Sequence, residues 1–175
     1  MAEDTRLIVS RIGETDQLFL QGNTPELALE RANLRLQLVH ASHSRAEQIH
    51  FLQEAIVLLE QARVEFEQMP LTLYLDLSIQ LAKTYLKYFE ISQEQRFALI
   101  TQQILKPLTV YENAEIYFLL AYASIAKNEP AMTRHWLNKY AKSIHFDPIL
   151  IKQHPAFQDL QQHNWFNILI KTHLN

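Results

Sequence analysis

Apolar residues recur every three or four positions along most of this chain, which is the period of an amphipathic α-helix. The clearest apolar stripe lies in residues 45–68 and consists of Ile49, Leu52, Ile56, Leu59, Ala62 and Phe66. Charged residues of that segment lie largely outside the stripe. Residues 114–126 are instead apolar nearly all round. We therefore expect helix 114–126 to lie between neighbours on both sides.

Prolines and capping residues divide this pattern into about eight helices. Four prolines stand where a helix would begin, a position at which their missing N–H costs nothing: Pro25, Pro130, Pro148 and Pro155. Two capping boxes, Ser44 with Glu47 and Ser92 with Gln95, predict further helix starts. The predicted helices cover 4–21, 25–41, 45–68, 71–90, 93–106, 112–127, 130–144 and 148–174, the last with a break at His154-Pro155.

One segment has the pattern of a β-strand. From Leu71 to Leu81, apolar residues alternate strictly with polar ones. We nevertheless predict a helix here, because leucine favours helices and no second strand pattern exists to pair with this one. The segment also continues into Ala82–Leu86 at helical spacing.

Composition favours an all-α fold. The chain has 175 residues, of which 48% are hydrophobic, and only two glycines. Sheet proteins and α/β nucleotide-binding folds need more glycines in their turns. This length suffices for one continuous core or for a short repeat array. We therefore predict a single all-α domain over 1–175.

Charge and cysteine content exclude several classes of function. Residues 1–90 carry 8 Lys and Arg against 13 Asp and Glu, and residues 91–175 carry 8 against 6. Neither half has the basic block of a nucleic-acid-binding protein. The chain has no cysteine, which excludes disulfides and thiolate chemistry. No stretch reaches the ~20 apolar residues of a membrane span, and the acidic start does not resemble a signal peptide. We expect a cytoplasmic protein without a membrane partner.

Residues Ala114 to Pro148 resemble a degenerate tetratricopeptide repeat. Its first helix carries four residues at the spacing of the family's first-helix motif: Tyr117, Leu120, Ala121 and Ser124. Asn128-Glu129 stands in for the family's Gly-Asp turn, and Phe146-Asp147-Pro148 is similar to its closing Leu-Asp-Pro. Ser124 replaces an aromatic residue, Trp136 or Thr133 replaces a small alanine, and the second helix is about one turn too long.

Weaker likenesses touch most of the remaining chain. They comprise Leu81, Ala82 and Tyr85 as a first helix, 54–62 as a second helix, Gly22-Asn23 before Ala28 and Ala32 as a turn, and 154–160 as an end cap. The resemblance implies antiparallel helical hairpins stacked as a short right-handed solenoid. It also implies an N-terminal capping helix at 1–22 and C-terminal capping helices at 148–175. A generic helical bundle without true repeats is the alternative.

In such a solenoid the first helices line a concave groove, and the resemblance implies a protein or peptide partner there. The groove residues it points to are Asp76, Lys83, Lys87, Glu115, Phe118 and Tyr122. For each of them the alternative is a solvated lysine pair or a core aromatic. We predict a scaffold or adaptor without catalysis or cofactor. A second copy of the chain is a further candidate partner, through the aromatic-rich C-terminal helices.

Two other functions are left open by the sequence. A histidine-rich set at spacings of 3, 4 and 3 predicts a metal site or an enzyme if one helix carries it: His40, His43, Glu47 and His50. Ser42 and Ser44 argue against this, because a helix break there scatters the set around a turn. Catalytic and phosphate-binding motifs are absent from the sequence. The acidic N-terminal half would also suit a small protein that masks one basic client.

Overall fold

Helices form all the regular structure within residues 2–66 and 68–172, which are the residues described by this computed structural model. The α-helices in these ranges are α1 (Ala2–Gln21), α2 (Pro25–Ala41), α3 (Arg45–Glu65), α4 (Leu71–Ser92), α5 (Gln95–Leu105), α6 (Ala114–Ala126), α7 (Pro130–Ala141), α8 (Pro148–Gln153) and α9 (Asn164–Thr172). Lys106–Tyr111 and Pro155–Gln162 are 3-10 helices. The all-α prediction is confirmed. The helical assignments at 67 and 173–174 lie outside the described residues.

Side-chain caps start several helices where the sequence predicts them. Thr24 Oγ1 accepts a hydrogen bond from the Leu27 amide at 3.1 Å. Asp147 Oδ1 accepts from the amides of Ile149 and Leu150, both at 2.9 Å. These caps satisfy amides that have no partner inside the first helical turn. Proline follows both caps as the first helical residue.

The two predicted capping boxes have different outcomes. Ser44 Oγ accepts from the Glu47 amide at 3.4 Å, so it caps α3 as predicted. The Glu47 carboxylate, however, bonds the Ser42 hydroxyl at 2.6 Å, and that hydroxyl also accepts from the Ser44 amide. The box at Ser92 is wrong, because Ser92 is still in α4 and α5 begins at Gln95 without a side-chain cap bond.

The alternating segment at 71–81 is helical, as predicted. Helix α4 packs against both α2 and α3, so it buries more than one face. Its buried residues include Leu77, Ser78, Ile79 and Leu81. A helix buried on two sides needs apolar residues at adjacent angular positions, which is why the pattern does not follow a single stripe. No helix within the described ranges is both long and apolar enough to cross a membrane.

The chain divides into two compact units, Met1–Gln93 and Glu94–Asn175. In the first unit, α2 is central and packs against α1, α3 and α4. Its core includes the fully buried residues Ala32, Val39, Leu52, Leu59, Leu77 and Leu81. The single-domain assignment of the sequence analysis stays a prediction.

In the second unit, α6 is central and packs against α5, α7 and both 3-10 helices. Nine of its thirteen residues are buried, in agreement with the expectation of neighbours on both sides. The C-terminal elements close this core, because α9 contacts α7 and the 155–162 helix. Phe157 and Phe166 are among the largest fully buried side chains.

Candidate protein-binding surface

Three of the predicted groove residues share one face of α4. Lys83 and Lys87 follow Asp76 by seven and eleven positions, which is close to two and three turns of an α-helix. Asp76 and Lys83 are exposed, and Lys87 is half-buried. Lys87 Nζ lies 2.7 Å from Glu90 Oε2. The structure therefore brings these residues together as a charged row on one unit.

The other three predicted groove residues lie on α6, where their environments differ. Glu115 is exposed, Phe118 is half-buried and Tyr122 is buried. The Phe118 and Tyr122 rings lie 5.4 and 4.8 Å from the His154 ring, measured between centroids. Phe157 covers them as well, at 6.0 and 6.4 Å. The two aromatics thus belong to the core of the second unit, which is the alternative that the sequence left open for them.

His154 packs against these aromatic rings and also caps a helix. Its Nδ1 accepts a hydrogen bond from the Ala156 amide at 3.3 Å, at the start of the 155–162 helix. Proline at 155 ends α8 and opens the next helix, which turns Phe157 onto α6. The C-terminal part of the chain therefore covers the two α6 aromatics that the resemblance assigns to a partner.

The histidine set at 40–50 does not form a cluster. His40 lies in the last turn of α2, His43 in the following turn, and Glu47 and His50 in α3. The Glu47 carboxylate accepts a hydrogen bond from the Ser42 hydroxyl, and His50 Nε2 lies 3.3 Å from Glu54 Oε1. Across residues 2–66 and 68–172, no group of three or more His, Cys, Asp or Glu side chains is placed to hold a metal ion.

An ion-pair network on the first unit was not predicted from the sequence. Arg35 Nε lies 2.9 Å from Glu54 Oε2, and Arg35 Nη2 lies 3.4 Å from both carboxylate oxygens of Asp16. Arg31 Nε and Nη2 each approach Asp16 Oδ1 at 2.9 Å. These contacts join α1, α2 and α3. The only sequence signal was a pair of arginines four residues apart on a helix that is otherwise rich in apolar residues.

A groove of about 410 Å³ lies beside this network, on the seam of α2 and α3. We call it the α2–α3 groove, and its lining consists of Arg31, Arg35, His50, Gln53, Glu54, Val57 and Leu58. The α3 residues among them recur at three- and four-residue spacing, so they form one helical face. Most of that face is polar, and Val57 is an exposed apolar residue on it.

A polar cluster in the second unit joins α5 to the turn between α6 and α7. Gln102 Nε2 donates to Ser124 Oγ at 3.2 Å and to Glu129 Oε2 at 2.7 Å. Lys127 Nζ donates to Gln102 Oε1 and to Glu129 Oε1, at 3.1 and 2.6 Å. The hydrogen bonds from Lys127 and Gln102 lower the pKa of Glu129. Every member of this cluster is satisfied by another, so it anchors the turn.

Tyr85 forms a second interhelical polar contact, between α4 and α3. Its hydroxyl donates to Glu60 Oε1 at 3.0 Å. Burial, followed by the hydrogen bond to Glu60, raises the pKa of this phenol to about 12. The shift favours the neutral hydroxyl, which suits a structural donor and not an acid–base catalyst near neutral pH.

No protein-family model, curated protein or solved structure matches the chain significantly.

Proposed function

We propose that this chain is a protein–protein interaction scaffold or adaptor, built from stacked helical hairpins and performing no catalysis. The observation that carries the proposal is packing of one helix against both the next helix and an element further along the chain. Helix α2 packs against α3 and also against α4, and α6 packs against α7 and also against the 155–162 helix. Such contacts are what stacking of tetratricopeptide-like hairpins produces, and stacks of this kind offer extended surfaces for partners.

The turn between α6 and α7 supports the same proposal. Asn128 has φ of 58°, a left-handed conformation that glycine adopts most easily and asparagine tolerates. The Glu129 amide bonds back to the Ser124 carbonyl at 2.9 Å and closes the end of α6. Asn128 thus adopts a backbone conformation for which glycine is the usual residue, as the likeness of this turn to the family's Gly-Asp turn implies.

The binding surface in this proposal lies on the first unit. On α6 the chain's own C-terminal segment covers Phe118 and Tyr122. The row on α4 is solvent-facing at Asp76 and Lys83. A protein or peptide partner would meet this row through complementary charges.

Affinity capture with a charge-swapped variant tests the proposal. The native chain is used as bait in a lysate of its source organism, and captured proteins are identified by mass spectrometry. The double variant Asp76→Lys/Lys83→Glu keeps net charge unchanged but inverts the row. We expect at least one protein that is captured by the native chain and lost with this variant.

The matched control is Lys142→Glu/Asp159→Lys, which makes the same exchange at two exposed positions of the second unit. It should retain the captured protein. If the native chain enriches no protein over an unrelated bait, the scaffold proposal fails. If the captured protein is lost equally with both double variants, the α4 row is not the binding surface.

A second candidate function is the masking of one basic client. The unit Met1–Gln93 contains the 8 basic and 13 acidic residues counted above for 1–90, since residues 91–93 are uncharged, and its net charge is −5. A field of this sign accelerates association with a basic protein and weakens as salt is added. Capture of a basic protein at low salt, with release at high salt, would favour this candidate.

A further inference from the structure

An arginine and a tryptophan meet where α9 packs against α7 in the second unit. The guanidinium carbon of Arg134, on α7, lies 5.4 Å from the centroid of the Trp165 ring, on α9. Arg134 is exposed and Trp165 is half-buried. Ile168 follows Trp165 by three residues, so it is the ring's neighbour on the same helix, and it is 55% exposed. We call the surface formed by Arg134, Trp165 and Ile168 the α7–α9 seam.

The guanidinium group of Arg134 keeps its capacity to bind an anion. It has five N–H donors, and none of them has a hydrogen bond or an ion pair within residues 2–66 and 68–172. Contact with the Trp165 ring restrains the side chain but neutralises none of its charge. Arg31 and Arg35 differ in this respect, because both are paired with carboxylates. Arg134 can therefore bind a carboxylate through two parallel hydrogen bonds without displacing an existing partner.

The charges around the seam have one sign. Helices α7 and α9 contain no Asp or Glu, and their basic residues are Arg134, His135, Lys139 and Lys171. The carboxylate of Glu129, which precedes α7, already accepts hydrogen bonds from Lys127 and Gln102. Asp159 lies on the 155–162 helix that contacts α9, but it forms no ion pair with the described residues. The seam is therefore electrostatically complementary to an acidic ligand.

The form of the seam favours a protein segment over a nucleic acid. Nucleic-acid binding depends on many phosphate contacts along a basic surface, and the unit Glu94–Asn175 has a net charge of only +2. The Trp165 ring and the exposed Ile168 side chain instead offer apolar surface directly beside the cation. Arginine and tryptophan are also the residues that contribute most often to the affinity of protein interfaces.

We infer that the α7–α9 seam binds an acidic segment of a protein partner, with an Asp or Glu carboxylate on Arg134 and an apolar side chain on Trp165 and Ile168. This goes beyond the proposed function, which places a partner on α4 of the first unit, and it does not depend on that surface. Recognition combines a charge contact that orients the segment with burial of an apolar side chain.

Selection from a displayed peptide library tests this chemistry directly. A library of random peptides about four helical turns long is panned against the full-length chain at low salt. We expect enriched sequences to carry Asp or Glu within four positions of an aliphatic or aromatic residue. Binding of the best peptide, synthesised and titrated in solution, should weaken as salt is raised.

Two exposed arginines provide matched charge reversals. Arg45, at the start of α3 in the first unit, is also exposed and without an ion pair in the described ranges. Arg134→Glu should weaken peptide binding by about tenfold or more, and Arg45→Glu by less than about twofold. The two variants have the same net charge, so a difference between them reports on the seam and not on the overall field of the protein.

Two exposed isoleucines test the apolar part of the seam. Ile168→Ser should weaken peptide binding by about fivefold or more, whereas Ile144→Ser, in the turn after α7, should leave it within about twofold. Ile168 is 55% exposed and Ile144 is 94% exposed, so both variants should keep the native helical circular-dichroism spectrum.

Several outcomes would overturn the acidic-segment inference. They are enrichment of basic or uncharged peptides, no enrichment, and equal effects of the two arginine variants. A labelled single-stranded oligonucleotide that binds the seam as tightly as the best peptide would assign it to nucleic acid instead. Dimerisation of the native chain that is abolished by Arg134→Glu would assign it to a second copy. Capture of a partner through the α4 row would leave the scaffold proposal standing in every one of these cases.

Discussion

The buried amide of Gln102 bridges Ser124 and Glu129, two residues on either side of the turn between α6 and α7. Gln102 Nε2 lies 2.7 Å from Glu129 Oε2, and Gln102 Oε1 accepts from Lys127 Nζ at 3.1 Å. Gln102 is itself on α5, so one side chain holds three helical segments in register. A buried amide with both ends satisfied stabilises a structure, whereas an incomplete network of this kind is costly.

Replacing Gln102 should therefore destabilise the second unit. Gln102→Ala removes two donor bonds and one acceptor bond, and we expect a loss of about 2–3 kcal/mol in the free energy of unfolding. Both tryptophans, Trp136 and Trp165, lie in this unit, so their fluorescence during urea unfolding reports on it. Gln103→Ala is the matched control, because Gln103 is exposed on the same helix. Equal losses in the two variants would contradict the role assigned to Gln102.

The same cluster predicts how stability depends on pH. Hydrogen bonds from Lys127 and Gln102 place the pKa of Glu129 in the folded chain below its ordinary value of 4.5. The ionised carboxylate thus adds stability that is fully present above that ordinary value and is lost as pH falls through the lowered folded pKa. Glu129→Gln should reduce the loss of stability below pH 4.5. Unfolding followed by tryptophan fluorescence at a series of acidic pH values measures this. A steeper loss of stability at acidic pH in the variant would show that the ionised Glu129 carboxylate does not stabilise the fold.

The buried arginine of the first unit should contribute more to stability than an exposed one. Arg35→Ala removes hydrogen bonds to Glu54, Asp16 and the Arg31 carbonyl, and we expect a loss of about 2–3 kcal/mol. The loss stays below that of a fully buried pair, because both carboxylate partners are part-exposed and can be hydrated.

Arg11 provides the comparison for Arg35. It also pairs with two carboxylates, Glu14 and Glu30, but all three side chains are 40% exposed or more. Solvent screening makes such surface pairs weak, so Arg11→Ala should be clearly less destabilising than Arg35→Ala. Chemical unfolding monitored by circular dichroism ranks the two variants. A larger loss of stability in Arg11→Ala would mean that burial of the arginine does not decide how much its ion pairs stabilise this unit.

Local signals explain which parts of the fold could be predicted. Thr24, Ser44 and Asp147 cap helices because a side-chain oxygen reaches an amide two or three residues away, and that geometry is fixed within the sequence window. Ser92 carries the same signal, but it is the last residue of α4, with Gln93 as the C-cap. A cap motif therefore predicts a helix start only where the preceding helix has already ended.

Contacts between distant segments explain what could not be predicted. The Arg35–Glu54 and Arg35–Asp16 pairs each join residues 19 positions apart on different helices. Spacing within one helix shows which residues share a face, but not which faces meet. For the same reason the sequence placed Phe118 and Tyr122 on a first-helix face without showing that the 155–162 segment covers it.

The left-handed residue at the end of α4 provides a prediction about backbone strain. Gln93 has φ of 60°, and its amide bonds the Phe89 carbonyl at 2.7 Å. A side chain with a Cβ makes this conformation costly, whereas glycine adopts it freely. Gln93→Gly should therefore raise the free energy of unfolding by about 0.5–1 kcal/mol, after allowing for the entropy of glycine in the unfolded chain. Gln103→Gly, the same exchange inside α5, should lower it by a similar amount. Urea unfolding of both variants measures the contrast, and a loss of stability in Gln93→Gly would show that contacts of the Gln93 side chain, such as its 2.9 Å bond to the Glu90 carbonyl, outweigh the strain.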